Sequence, residues 1–493
     1  MSFDTVSDNT PVLVGCAAIS QPGDDPAQMD EALLLMEKAV RMAAVDAGAV
    51  DLLQQIDYIG APQGFWQYGD PGRYITRAVG SPQAFTCVAA IGVSQQALIN
   101  DACQRIADGA SVAVITGGEA KYRSLLASIQ QKPQADTIDE TVPDRLWRSE
   151  DVLWSALEEQ RGLVMPVEFY ALIESAMATA KGYSPAQQRQ YLGELYAGFS
   201  QVACGNDTAW FREPFNAEAI SAPSDRNPLL AFPYTKRLNS QWNVNQAGAL
   251  VFCSAGKARE LGIAPEKWVF PSVLAESNYM RPLSERPHLH RHEGMQQCAR
   301  AVFETSGLTA GQVDLVDIYS CFPSAVQSHA MDIGLPASMP LTVTGGMAFY
   351  GGPLNNFVIQ STVAMAHRLR QAPGSNGLVS CISGINNKQG LALYSSKKPV
   401  MPFVCHDVSG KTRTAMQKLT SIAEYSGRAR LLASTVVYHK GEASHAFAIA
   451  ETAESCRLVC RSNDASVMAE LQQHDCNGQL LEVTEAGDFR LIA

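Results

Sequence analysis

The chain has 493 residues, 46% of them hydrophobic, and a formal net charge of −11. That length exceeds what one core organises, so two or three domains are expected. The acidic balance excludes nucleic acid or an anionic membrane surface as the main partner. No apolar run approaches the roughly 18 residues of a bilayer span, and the N-terminal stretch Met1 to Thr10 is polar and acidic, unlike a signal or transit peptide. The expectation is a soluble cytoplasmic protein.

In chain order, Pro11 to Ile19 is a continuous apolar run of strand length, and Met29 to Ala47 carries apolar residues at helical spacing. A strand at Ile56 to Ala61, a helix at Pro71 to Val79, a strand at Ala84 to Val88, a helix at Val93 to Ala107 and a strand at Ser111 to Thr116 follow. Such alternation predicts a parallel, helix-covered sheet. Residues 122 to 239, richer in Gln, Arg, Trp and Tyr, carry helical patterns at Val167 to Lys181 and Ser184 to Phe199; insertions of this length in a sheet fold usually serve function.

The alternation then repeats: strand Trp268 to Ala275, helix Gly294 to Thr305, strand Val313 to Tyr319, helix Ser324 to Met331, strand Leu341 to Thr344, helix Phe357 to Arg370, strand Gly377 to Ile382. Identity between the halves is low, so duplication is inferred from order and spacing. After the linker-like Ser395 to Pro399 the texture changes to short strands, at Ala429 to Tyr438, His445 to Glu451 and Arg457 to Arg461, then a helix at Ala465 to Gln473 and a strand at Gln479 to Val483, which reads as a small β-barrel. Its basic residues are dispersed, so nucleic-acid binding is not expected of it.

The 12 cysteines form no CxxC pair, and Cys16, Cys87 and Cys253 lie in apolar segments, as reduced, buried thiols do. His288, His290 and His292 lack an accompanying ligand set, so they read as a surface loop entering a helix and no metal is expected.

The segments "DIYSCFPSAVQ" (317–327), "TVTGGMAFYGGPLNNFV" (342–358) and "FPYTK" (232–236), set in two matching halves, resemble the thiolase superfamily, in particular sterol-carrier-protein-type and other thiolase-like proteins labelled acetyl-CoA acetyltransferase. The resemblance covers residues from about 10 to 396. It implies an α/β fold of duplicated, layered αβαβα type: residues 1–121 and 240–260 as the N-terminal half, 122–239 as an inserted helical and loop domain, 261–396 as the C-terminal half, and 400–493 as an appended OB-like barrel. It also implies an acyl-CoA ligand, a place in lipid metabolism, no covalently bound cofactor, and a homodimer through the core.

The same resemblance assigns the site. The family's nucleophilic cysteine corresponds to Gly92, with Ser94 and Cys87 near it in sequence, and the histidine of its Gly-His-Pro motif corresponds to Gly352, so ordinary thiolysis is not expected. Its late catalytic cysteine corresponds to Cys381. Its Asn-Glu-Ala-Phe or His-Asp-Cys-Phe motif corresponds to Tyr319-Ser320-Cys321-Phe322. Backbone at Gly92, Ser383 and Gly352 can form an oxyanion site without side chains. Arg226, Lys236 and Arg237 are the expected phosphate contacts, and Phe232 and Trp242 either line the pantetheine channel or pack the core. Three readings follow: a thiolase-type acyltransferase with degenerate motifs, a retro-aldolase using Tyr319 and Tyr350 as in the steroid side-chain aldolase branch, whose OB-type partner chain the C-terminal barrel would replace, and a non-catalytic acyl-CoA binder.

Overall fold

The computed structural model describes residue 3, residues 5–149 and residues 153–492. The apolar runs form the strands β1 (Pro11–Ser20), β2 (Tyr58–Pro62), β3 (Phe85–Ala89), β4 (Val112–Ala120) and β5 (Arg145–Trp147). After two short strands, β6 (Leu229–Ala231) and β7 (Tyr234–Thr235), comes β8 (Asn245–Ser254). The first sheet has the order β1-β8-β4-β2-β3-β5, with β8 antiparallel to both its neighbours and the strands from β4 to β5 parallel. The helix Ala32–Ala47 packs on its outer face. That approach depends on Gly15, where a Cβ would lie 2.1 Å from the Ala43 carbonyl oxygen.

The second half repeats the plan with β9 (Phe270–Ser277), β10 (Leu315–Asp317), β11 (Asn376–Ser383), β12 (Lys388–Ser395) and β13 (Val404–Asp407), in the order β10-β11-β12-β9-β13. Here β12 is the strand antiparallel to both neighbours, as β8 is in the first sheet. The helices Gln95–Ala107 and Phe357–Gln371 touch strands of both sheets and lie between them, while Glu293–Ser306 covers the outer face of the second sheet. The result is the expected five-layered α/β arrangement with a continuous apolar interior.

Several expectations are corrected. Leu341 to Thr344 is not a strand, because the Asp317 carboxylate accepts the backbone N–H groups of Val343 and Thr344 at 2.8 and 2.9 Å and so takes the donors a ladder would use. The expected boundary at residue 400 cuts off β13, which pairs in parallel with β9 inside the second sheet. The histidine loop does enter a helix, but it is not all surface: His292 is fully buried, and its Nδ1 accepts the Gly294 N–H at 3.1 Å.

The inserted helices Pro166–Lys181 and Pro185–Cys204 each start with proline in the first turn, where its missing N–H costs nothing. A third sheet packs on the first of them. It contains β14 (Gly427–His439), β15 (Glu442–Glu451), β16 (Arg457–Ser462), β17 (Leu480–Val483) and β18 (Phe489–Leu491), in the order β16-β15-β14-β17-β18. A bridge from Arg461 to Asp488 brings β16 back to the start of β18, and the helix Ala465–Gln473 connects β16 to β17. Ser434 N–H donates to Ser175 Oγ at 3.1 Å and Asn477 Nδ2 to Thr179 Oγ1 at 2.7 Å, fixing this sheet to the inserted helix. No helix among the described residues is long and apolar enough to cross a membrane.

Candidate active site

A cavity of about 640 Å3 opens where the two halves meet the insertion. Ile91 and Gly92 from the first half, Met165 and Tyr170 from the insertion, and Tyr319, Cys321, Gly352 and Ser383 from the second half all line it. Of the predicted site residues, then, Gly92, Tyr319, Cys321, Gly352 and Ser383 come together. None of the described lining residues is Asp, Glu, Lys, Arg or His.

Gly92 sits just ahead of the helix Gln95–Ala107 with φ of 101°, a conformation that a side chain would strain. Its carbonyl accepts the Lys388 ammonium at 3.0 Å, and the same ammonium donates to Ser149 Oγ at 2.6 Å. Lys388, 4% exposed, stands directly behind the cavity wall, and sequence reasoning missed it. The available signal was a lone cation in the short turn "SGINNKQG" between two apolar strands. At Gly352, the position that the resemblance gives to histidine, a Cβ would fall 1.9 Å from Ser240 Oγ, so a side chain there requires the Ser240 hydroxyl to turn away.

Cys321 lies at the start of the helix Pro323–Ile333, bonded to the Tyr170 hydroxyl, yet burial pushes its thiol up to about 12 against the pull of that bond and of nearby backbone N–H groups. The Tyr170 ring stacks on Phe322 with centroids 4.4 Å apart, and its hydroxyl accepts the Asn386 N–H at 2.9 Å. Sequence reasoning missed Tyr170 as well, because inside a helix of regular apolar spacing nothing marks it. Tyr319 is 8% exposed, its hydroxyl meets the Gln95 side chain, and burial raises its pKa well above the ordinary phenol range, so it stays protonated.

Cys381 does not reach the cavity. It is fully buried on β11, 3.3 Å from Ser94 Oγ and near the backbone N–H groups of Gln95 and Gln96; burial outweighs these donors and raises the thiol to about 11. Cys87 is likewise interior, on β3.

The remaining predicted residues lie elsewhere. Tyr350 packs on Phe357 at 6.0 Å, as Tyr319 does at 5.9 Å, but its hydroxyl pairs with Thr208 Oγ1 at 3.0 Å and it lines a different cavity. Arg226 and Lys236 are exposed and Arg237 spends its guanidinium on the Ala219 carbonyl at 2.7 Å and on the Phe215 ring, so none of the three reaches the 640 Å3 cavity. Phe232 packs against the third sheet, whereas Trp242 lines the cavity.

The second cavity holds Cys16, Asp46 and His367, whose ligand atoms lie within 4.8 Å of one another. Asp46 already accepts Arg370 at 2.6 Å, Lys267 at 3.0 Å and the Cys16 N–H at 3.0 Å, so a divalent cation would enter beside two fixed positive charges.

No protein-family model matches the chain. It is 22% identical over 286 residues to an acetyl-CoA acetyltransferase of Methanothermobacter thermautotrophicus, covering 55% of this chain and 70% of that protein. The crystal structure of a monomeric SCP2-thiolase-like protein type 1 from Mycobacterium smegmatis superposes with a TM-score of 0.82 at 24% identity, covering 99% of this chain and 100% of that one. The Ltp2-ChsH2(DUF35) aldolase superposes with a TM-score of 0.58 at 16% identity, covering 80% of this chain and 100% of that one. With its paired α/β halves, two helices between the sheets and an antiparallel strand at matching places in each, this chain has a thiolase-type fold.

Proposed function

We propose that the cavity binds an acyl thioester of coenzyme A, acyl chain against the apolar wall and carbonyl toward Gly92, Tyr319, Cys321 and Ser383, without forming an acyl-cysteine. The observation that carries this reading is the lining of the cavity: Leu153, Met165, Val167 and Ile385 offer alkyl surface, and the polar side chains, Tyr170, Tyr319, Ser383 and Asn355 among them, are all neutral. A thioester is itself neutral, with one carbonyl acceptor and an apolar tail, so it matches such a lining. The fold and the acetyl-CoA acetyltransferase relative support coenzyme A esters as the ligand class.

Covalent acyl transfer fits poorly. With thiols at about 11 and about 12, fewer than about one cysteine in a thousand at Cys381 or Cys321 is thiolate near neutral pH. Gly92 supplies no nucleophile and Gly352 no imidazole. A retro-aldolase using the pair Tyr319 and Tyr350 requires both phenols to face one ligand, and Tyr350 faces another cavity.

We read the third sheet as OB-like, on the strand order, the Arg461–Asp488 bridge and the helix between its third and fourth strands. Its role is to back the cavity wall: Leu230 lines the cavity while Ala231, its neighbour on β6, pairs with Val437 of β14.

Calorimetric titration with coenzyme A esters of increasing chain length tests the ligand class. Affinity should rise by up to about 0.8 kcal/mol per methylene until the cavity is filled. No binding by any ester would refute the assignment.

A further inference from the structure

The cavity has alkyl walls and neutral hydrogen-bonding groups, but no described lining residue carries a positive charge to pair with a phosphate. The loop cations expected to do so are engaged or remote. The cavity opens beside Ile91, Met165 and Trp242, each about half exposed at 53%, 54% and 49%. Just outside, Phe65, 44% exposed, meets the Trp242 ring edge-to-face with centroids 5.9 Å apart.

Between these rings sits Lys121, its Nζ 3.6 Å from the Trp242 centroid and 3.9 Å from that of Phe65. Among the described residues it forms no ion pair. The neighbouring Glu119 carboxylate is turned inward, accepting the Phe65 N–H at 2.7 Å. Apart from the attraction of the Glu119 charge, this cation rests on two solvent-facing rings: an anion can draw it off, and a flat aromatic ligand can take its place on the indole.

Resting on the thioester reading above, we propose that Phe65, Lys121 and Trp242 form the docking point for the nucleotide end of the ligand, with the purine stacked on Trp242 and Lys121 swung onto a phosphate. The three residues come from separate parts of the first half, the loop after β2, the first turn of the helix Lys121–Gln130 that follows β4, and the loop before β8, and no sequence pattern links them. Only their convergence at the cavity mouth suggests a common task.

The test compares one acyl group carried on coenzyme A with the same acyl group carried on pantetheine, which lacks the nucleotide, by titration calorimetry of the full chain. The expected result is a coenzyme A ester bound about ten-fold or more tightly than the pantetheine ester. In Lys121→Ala and in Phe65→Leu, neither of which changes a cavity-lining residue, that ratio should fall to within about two-fold. Equal affinity of the unaltered chain for both esters, or a ratio that survives both substitutions, would overturn the nucleotide site while leaving the thioester reading intact. Binding of neither ester would overturn both.

Discussion

The two α/β halves share a strand order and differ in what they bring to the cavity. The first contributes a bare turn, Gly92, ahead of the helix Gln95–Ala107; the second contributes the phenol of Tyr319, the thiol of Cys321 and the end of β11 at Ser383. They also differ in completeness, since β3 has no counterpart strand in the second half, where Asp317 gathers the backbone N–H groups of Val343 and Thr344 and the hydroxyl of Thr342 instead. A duplicated frame thus holds its shape while one copy gives up a strand and the other gives up a side chain, because the helices between the sheets anchor both.

The largest expected effect probes the lost strand. Asp317, 1% exposed, accepts the hydroxyls of Thr342, Thr344 and Ser361 besides two backbone N–H groups. Asp317→Ala strands all of these donors and should cost about 4 kcal/mol or more in urea unfolding. Asp317→Asn, which keeps acceptor oxygen, should cost less. A loss under about 1 kcal/mol for the alanine variant would mean that something else holds the segment.

A smaller effect in the first half is pH-dependent. Burial of Glu119 raises its carboxyl from 4.5 to about 7. The folded chain therefore holds this proton more tightly than the unfolded chain, so the contribution to stability is complete below 4.5 and is lost as pH rises through about 7. Glu119→Gln should match the original chain at acid pH and exceed it by roughly 3 kcal/mol at pH 8. A difference constant with pH would contradict the burial argument.

Gly92→Ala tests the bare turn. At φ of 101° a Cβ brings strain of about 1–3 kcal/mol, although Ser149 leaves space for it with the nearest atom at 3.5 Å. A melting temperature that falls with little change in packing around Ser149 is expected. An unchanged or raised value would show that the turn accepts a side chain.

The smallest effect concerns the thiols of the second half. At pH 7.5 Cys381 and Cys321 should alkylate far more slowly than an exposed cysteine, because burial keeps both protonated. Rapid labelling of either by iodoacetamide, read by peptide mass spectrometry, would contradict this.

The fold was legible because long apolar runs and helical spacing alternate in the same order twice. Among the strands with no counterpart in the sequence reading, β8 and β12 are central: both run antiparallel between parallel neighbours, a placement set by the topology and not by any local pattern. Leu341 to Thr344 has the residue types of a strand, and only the buried carboxylate 24 positions before Leu341 decides otherwise. At the site, Gly92, Tyr319, Cys321, Gly352 and Ser383 were placed by resemblance because they end strands or open helices, where position follows from fold. Arg226, Lys236 and Arg237 were chosen for charge alone, and charge does not say which way a loop faces. Tyr350 rests on a loose likeness to the tyrosines of the aldolase branch, yet its hydroxyl pairs with Thr208 and it lines another cavity.

The central claim is tested most directly by intact-protein mass spectrometry of the chain mixed with a coenzyme A ester that calorimetry has shown to bind, with released coenzyme A assayed in the same sample. The account predicts saturable binding, an unchanged protein mass and no free coenzyme A. An acyl-sized mass increase mapping to Cys321 or Cys381, with one equivalent of coenzyme A released, would contradict it.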